Sequence, residues 1–140
     1  MKELPISASK DTLMATVEEW IDLLVAKKYQ EALDFIYPIP YPEWDAQYLE
    51  NWIRNYGFDQ PFKDGTTVEI TSRHEATGKQ FNREFEASDP FVEESTGLEV
   101  IGTVLYDVPL DGKWSDLTVQ FNVCKFEGGL VLDMSGFHVM

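Results

Sequence analysis

Residues 84–99, EFEASDPFVEESTGLE, carry six carboxylates and neither Lys nor Arg, and no basic residue follows Arg83 until Lys113. Carboxylates in such a run can solvate a loop, hold a cation or meet a basic partner, and the spacing bears on which. EASDPFVEEST lacks the D-x-D-x-D-G order of a calcium loop, so no metal site is expected. Pro90, Phe91 and Val92 instead place apolar side chains between Asp89 and the Glu93-Glu94 pair. An apolar anchor ringed by carboxylates is the composition of an interface to a basic protein. The candidate partner-binding residues are therefore Glu86, Asp89, Phe91, Glu93, Glu94 and Glu99. The plain alternative is a strand end followed by a solvated loop.

The other residues able to do chemistry are few. Of two histidines, His74 sits beside a turn in TSRHEATG and reads as solvated. His138, in GFHVM, alternates with Phe137 and Val139 and so faces the other side of its strand, where it could act as a general acid or base near its ordinary pKa. Cys124 is the one cysteine and cannot form an internal disulfide; in LTVQFNVCKF it reads as buried apolar filler. Without a C-x-x-C spacing there is no thiolate zinc site. Glu18-Glu19 are sequence neighbours that do not converge on one ligand. Ser115 and Ser135 have no accompanying base motif, and Gly128-Gly129 reads as a hairpin turn rather than a phosphate cradle. No catalytic residue, metal or cofactor is expected from these patterns.

The totals narrow the class further. Twenty-five acids against 11 bases give a formal charge of −14. Nucleic-acid binding needs a basic footprint that displaces counterions, and an anionic membrane surface would repel such a chain. A strongly negative protein is instead soluble and steers basic partners. At 140 residues with 44% hydrophobic content, a single domain over residues 1–140 can bury roughly two thirds of its unfolded surface. No apolar run approaches the ~20 residues of a membrane span, and the N-terminal stretch lacks the apolar core of a signal peptide, so a cytoplasmic location is expected.

Three helices must come first. In DTLMATVEEWIDLLVAKK, Leu13, Val17, Trp20, Ile21, Leu24 and Val25 recur at three- and four-residue steps, with Asp11 as N-cap and Lys27-Lys28 at the negative end. YQEALDFIY follows and is stopped by Pro38, Pro40 and Pro42. A third helix over 43–56 ends at Gly57 and carries an aromatic stripe that includes Trp44, Tyr48 and Trp52. That stripe packs on a sheet, or lines a ligand pocket together with His138.

From Gly65 the period changes to two. TTVEITSRHE and KQFNREFEA predict a hairpin joined at Ala76-Thr77-Gly78. LEVIGTVLYDV predicts a strand with Leu98, Val100, Val104, Tyr106 and Val108 on one face, and Gly102 marks a bend or bulge. SDLTVQFNVCKF and LVLDMSGFHVM, separated by turns, complete the set. Helices followed by consecutive antiparallel strands predict an α+β fold: three N-terminal helices packed on one face of a curved, cone-like sheet of four to six strands.

That order, and VEEWIDLLVAKKYQEALDFIYP in particular, resembles the opening of the nuclear-transport-factor-two-like (SnoaL-like) cone-fold superfamily. There a helix ends in a short basic turn and a second helix begins with an aromatic and small residues. DVPLDGKWSDLTVQFNVCKFEGGLVLDMSGFHVM looks like the C-terminal hairpin of small uncharacterised bacterial proteins. Cone-fold enzymes place an Asp, His or Tyr in the cone mouth as acid or base, and no motif here aligns such a set. The expectation is a non-catalytic cytoplasmic binding protein of immunity type that neutralises a basic toxin such as a nuclease. The alternatives are a cone-fold small-ligand binder or enzyme with its pocket between the aromatic helix and the sheet, and a homodimerising domain.

Overall fold

The apolar stripe of the first helix becomes α1, Lys10–Val25, in the computed structural model, which describes residues 1–140. Its N-cap is Ser9 rather than Asp11: the Ser9 hydroxyl accepts a hydrogen bond from the Thr12 amide at 3.1 Å, and Asp11 lies in the first turn, where a negative charge also suits the helix dipole. Helix α2 spans Tyr29–Phe35 and α3 spans Ala46–Arg54. Helix α3 starts three residues later than its sequence pattern because Asp45 caps it, accepting from the Tyr48 amide at 2.8 Å. Pro38, Pro40 and Pro42 keep the α2–α3 connection out of helix, since each lacks an amide donor and has a fixed φ.

Five antiparallel strands follow the order β1-β5-β4-β3-β2 and curl into a half-barrel. They are β1 Leu4–Pro5, β2 Arg83–Val92, β3 Glu99–Leu110, β4 Lys113–Phe126 and β5 Gly129–Val139. The short β1, which carries no periodic signal, covers the edge of β5 through Leu4 opposite Leu130. Strand β2 is the other edge and has one neighbour.

Helix α1 lies in the hollow of the sheet. Trp20, with no exposed surface, stands edge-to-face on Phe121 with ring centroids 4.9 Å apart, and its indole donates to the Ala32 carbonyl at 3.0 Å. The indole's one polar atom is thus satisfied inside an apolar core. Val17, Ile21 and Leu24 of α1 and Val104, Tyr106, Val119 and Phe137 of the sheet belong to the same cluster of 25 buried residues.

The expected hairpin over residues 66–87 does not form. Its first arm has no strand pairing beyond isolated bridges from Ile70 to Leu110 and from Thr77 to Lys113. Residues 66–82 instead bind the tip of the β3–β4 hairpin. Asp111 accepts from the Glu69 amide at 2.9 Å, Thr71 accepts from the Gly112 amide at 2.8 Å, and Asp107 accepts from the amides of Phe81 and Asn82 at 2.9 and 2.8 Å. Side-chain acceptors from the neighbouring turn have taken donors that a hairpin ladder would have used.

One strand face also differs from simple alternation. Pairing shifts by one residue between Val100, opposite Cys124, and Gly102, opposite Val123. A single-residue bulge moves every side chain beyond it to the other face. Val104, Tyr106 and Val108 therefore join the main core, whereas Val100 forms a separate buried cluster with Cys124 and Val131, packed by Tyr37, Leu98 and Phe126. Gly102 is needed at the bulge: a Cβ there would meet the Phe85 ring at 2.5 Å and the Glu86 carbonyl oxygen at 2.8 Å.

Candidate functional site

The sheet face turned away from α1 carries the second cluster, and beside it lies a cavity of about 190 Å³. Three parts of the chain build it. Strands β4 and β5 supply Asn122 and Asp133, directly opposite each other in the ladder. The β2–β3 turn supplies Glu93 and Ser95, and the proline-rich α2–α3 connection supplies Ile39, Pro40, Tyr41 and Trp44. That connection is pinned to the β5 edge by the Tyr37 amide, which donates to the Leu132 carbonyl at 2.8 Å. A second register shift, which leaves Ser135 extra between Met134 and Gly136, returns Met134 and Phe137 to the core and leaves Asp133 on the outer face.

Asp133 is 5% exposed and Asn122 is 7% exposed. The only hydrogen-bond partner of Asp133 is the Asn122 amide, at 3.5 Å, the long limit for such a contact. Burial raises the Asp133 pKa above the ordinary carboxylate range, the Asn122 amide pulls it back, and the nearby Glu93 charge adds to the rise. Glu93 is partly held by its own turn, accepting from the Ser95 hydroxyl at 3.3 Å. No Lys or Arg lines the cavity. Cys124, fully buried next door, has its thiol pushed up to about 12, first by burial and then by Asp133 and Glu93. It is packing material and no nucleophile at neutral pH.

The acidic stretch is mostly strand. Residues 84–92 lie on β2, and only 93–98 form the turn. Glu86, Asp89 and Glu94 are exposed, as are Phe91 at 47% and Val92 at 64%. The pairing shift between Ala87 and Phe91 lifts Ser88, Asp89 and Pro90 out of the ladder, which hinders strand addition along this edge. Side chains, rather than backbone groups, are what this edge offers. Glu99 differs from the others: Lys125 of β4 is 2.9 Å away. The run of one sign in the sequence is met in space by a lysine from another strand.

Three of the four residues expected to line a pocket come together, and His138 stands apart. Trp44, Tyr48 and Trp52 stack on one another, with centroids 4.8 to 5.6 Å apart. Trp44 alone of the four borders the Glu93–Asp133 cavity, and the second cavity it lines includes none of the other three. His138 is exposed on β5 opposite Thr118. His74 is exposed in its turn.

Two other acids have geometry that looks catalytic but is structural. Asp107, 1% exposed, accepts from two backbone amides, from the Asn82 side chain at 3.0 Å and from the Thr118 hydroxyl at 2.7 Å. Its acceptor capacity is used up in fastening residues 81–82 to the sheet. Glu18 receives Arg83 in a two-pronged contact at 3.1 and 3.2 Å and the Tyr106 hydroxyl at 2.9 Å.

Asp133 and Asn122 were not legible as site residues. The available signal was a carboxylate inside the otherwise apolar run LVLDM, which reads as the outer face of a strand. The cavity that faces it depends on two remote segments. The chain has no group of three or more His, Cys, Asp or Glu side chains placed to hold a metal ion, and no helix is long and apolar enough to cross a membrane. No protein-family model matches the chain, and neither a curated protein nor a solved structure matches it.

Proposed function

We propose that this chain is a non-catalytic binding protein whose partner is a basic protein, and that it is of immunity type, acting in the cytoplasm of a bacterium to neutralise a basic toxin such as a nuclease. The observation that carries this reading is the β2 edge, where Phe91 and Val92 stand exposed among the exposed carboxylates of Glu86, Asp89 and Glu94. An exposed apolar anchor gives a partner something to bury, and the surrounding charges steer a basic surface onto it. The overall charge of −14 acts in the same direction at longer range. The half-barrel with α1 in its hollow is compatible with the nuclear-transport-factor-two-like superfamily, and membership there is part of the same proposal.

The test is co-expression with the product of an adjacent reading frame that encodes a basic secreted toxin, followed by surface plasmon resonance on the pair. Growth should be restored by the wild-type chain. Replacing Glu86 and Glu94 with Lys changes the local charge by about four units and should slow association, with a salt dependence set by screening over about 8 Å at physiological ionic strength. Phe91→Ala should mainly speed dissociation, by about 1–3 kcal/mol for a buried anchor. If neither change moves either rate, the β2 edge is a solvated surface and the reading is wrong.

A second reading, a cone-fold binder of a small ligand or an enzyme, is favoured by the cavity beside Trp44. The cavity that Trp44 shares with Glu93 and Asp133 is only about 190 Å³, below the roughly 300–1,000 Å³ of most small-molecule sites, whereas the one it lines with Met1, Gln30 and Leu33, about 630 Å³, falls within that range and lies away from the sheet strands. The hollow between α1 and the sheet, where Trp20, Phe121 and Phe137 meet, is filled by core side chains.

A further inference from the structure

We propose that the cavity between the β2–β3 turn and the α2–α3 connection receives one guanidinium or ammonium group, held between the carboxylates of Glu93 and Asp133, and that an Arg or Lys side chain of the basic partner supplies it. This deepens the binding reading above and rests on it.

Four observations lead to a cation. Asp133 is 5% exposed, its one hydrogen bond is the 3.5 Å contact with Asn122, and its second carboxylate oxygen has no donor. A buried carboxylate is ordinarily paired or fully hydrogen-bonded. Two other acids show what this fold does when the role is structural: the buried Asp107 carboxylate accepts from four donors, and the half-buried Glu18 has two arginines. Asp133 has no such set, although it borders a cavity that a donor could enter.

The lining also holds two carboxylates and no cationic donor. Besides the two carboxylates it holds the Asn122 carboxamide, whose oxygen accepts nothing, and it contains no Lys or Arg. The chain's own bases nearest the acidic surface are engaged elsewhere, Lys125 with Glu99 and Arg83 with Glu18. Tyr41 and Trp44 form the opposite wall, and aromatic faces attract cations once water is displaced. An Arg fork, with five N–H donors, matches this set of acceptors better than any neutral group.

Size and position select a side chain over a free ligand. The cavity is smaller than most small-molecule sites. Glu93, which lines it, is joined directly to the β2 edge, one residue past the exposed Val92. A partner seated on Phe91 and Val92 would therefore have the cavity within reach of one long side chain. Two carboxylates without a third His, Cys, Asp or Glu fall short of a protein-built metal site.

The experiment is an amide-resolved NMR titration of the whole chain with N-acetyl-arginine-N-methylamide, its uncharged citrulline counterpart, and agmatine, which keeps the guanidinium and adds a free ammonium group. The arginine probe should give saturable shifts at Glu93, Ser95, Asn122 and Asp133, and the citrulline probe none at the same concentrations. Asp133→Asn, which keeps the side-chain shape, should weaken the arginine probe by about fivefold or more, as should Glu93→Gln, because each removes one charge-assisted contact. Glu75→Gln, an exposed acid that does not line the cavity, should change it less than about twofold. No saturable shift, equal binding of citrulline, or a smaller loss in Asp133→Asn with its spectrum otherwise native, overturns the proposal. Agmatine binding more than about tenfold tighter than the arginine probe would show that its extra ammonium is recognised, assign the cavity to a free guanidino-amine and overturn the side-chain source. If the cavity takes the arginine probe while no basic toxin is bound, the function reading alone fails. If a toxin binds equally to the wild type and to Asp133→Asn, this inference alone fails.

Discussion

Glu18, half-buried on α1 against one face of the sheet, and Asp133, buried on the other face, have been treated in opposite ways. Desolvation pushes the pKa of Glu18 up, but hydrogen bonds from Arg83 and Tyr106, with the charges of Arg83 and Arg73, outweigh it and leave the pKa below the ordinary value. At Asp133 desolvation wins, because only Asn122 opposes it and Glu93 adds to it. The difference separates an acid that holds the fold together from one whose interactions are incomplete within the chain. Glu18 ties α1 to β2 and β3, and through Arg73, which also binds Asp22 at 3.0 Å, to the irregular segment 66–82. That segment has almost no ladder bonding of its own, so its position rests on such side-chain contacts. Removing one acid should loosen the molecule, whereas neutralising the other should not.

The largest expected effect is at Glu18. Glu18→Ala leaves the fully buried Tyr106 hydroxyl without its acceptor and the Arg83 guanidinium unpaired, while Arg73 keeps Asp22. Breaking a fully buried pair costs about 3–5 kcal/mol, and partial exposure of both arginines lowers the expectation to about 2–3 kcal/mol in urea unfolding. A loss under about 0.5 kcal/mol would show that Glu18 is no anchor. Next is Gly102→Ala, which tests the bulge that separates the two faces. The added methyl would press on the Phe85 ring and the Glu86 carbonyl, with a cost of about 1–3 kcal/mol. Because the same change disturbs β2, it should also weaken partner binding at the acidic edge; stability unchanged in thermal unfolding would mean the bulge relaxes freely.

Asp133→Asn should alter stability in the opposite sense, by about 1 kcal/mol of stabilisation at neutral pH. Its pKa is raised in the folded state, so the native chain holds this proton more tightly than the unfolded one. Stability therefore falls as pH rises from the unfolded carboxylate range through the raised folded value, and the advantage of Asp133→Asn should open across that window and vanish below it. Glu18 runs the other way: its contribution is present above the ordinary carboxylate range and is lost as pH falls through its lowered folded pKa. Urea denaturation of wild type, Glu18→Gln and Asp133→Asn at a series of pH values reads both signs, and parallel curves would contradict the contrast. The smallest effect is expected at the exposed Lys125–Glu99 pair. Lys125→Ala should cost less than about 0.5 kcal/mol, yet it should speed association with a basic partner by restoring the uniform sign of the acidic edge.

Local chemistry explains why some of the fold was readable. Helix α1 shows in its three- and four-residue apolar spacing and α3 in its aromatic stripe, because one face of each must leave water. Strands β3, β4 and β5 show in their alternation and their Gly-containing turns, and Gly102 marked the bend. The arm over 66–75 misled because Thr, Val and Ile give it strand composition, while its hydrogen-bond partners are Pro109, Asp111 and Gly112 around the β3–β4 turn and the Arg54 carbonyl. Alternation places Leu98 and Val100 on one face with Val104, Tyr106 and Val108, because it carries no sign of a bulge one residue further on.

By itself, then, the sequence determined the order of elements, the side each helix and most strands turn inward, and a surplus of negative charge that follows from composition alone. Those properties depend on the period of nearby residues, which neighbours along the chain set. Tertiary structure alone decided that Lys125 meets Glu99, that His138 stands apart from Trp44, Tyr48 and Trp52, and that Glu93 and Asp133 face one cavity. Each of these joins residues from different elements. Their meeting depends on strand register, two bulges and the path of a proline-rich connection, and a shift of one residue in any strand would turn the side chains to the opposite face.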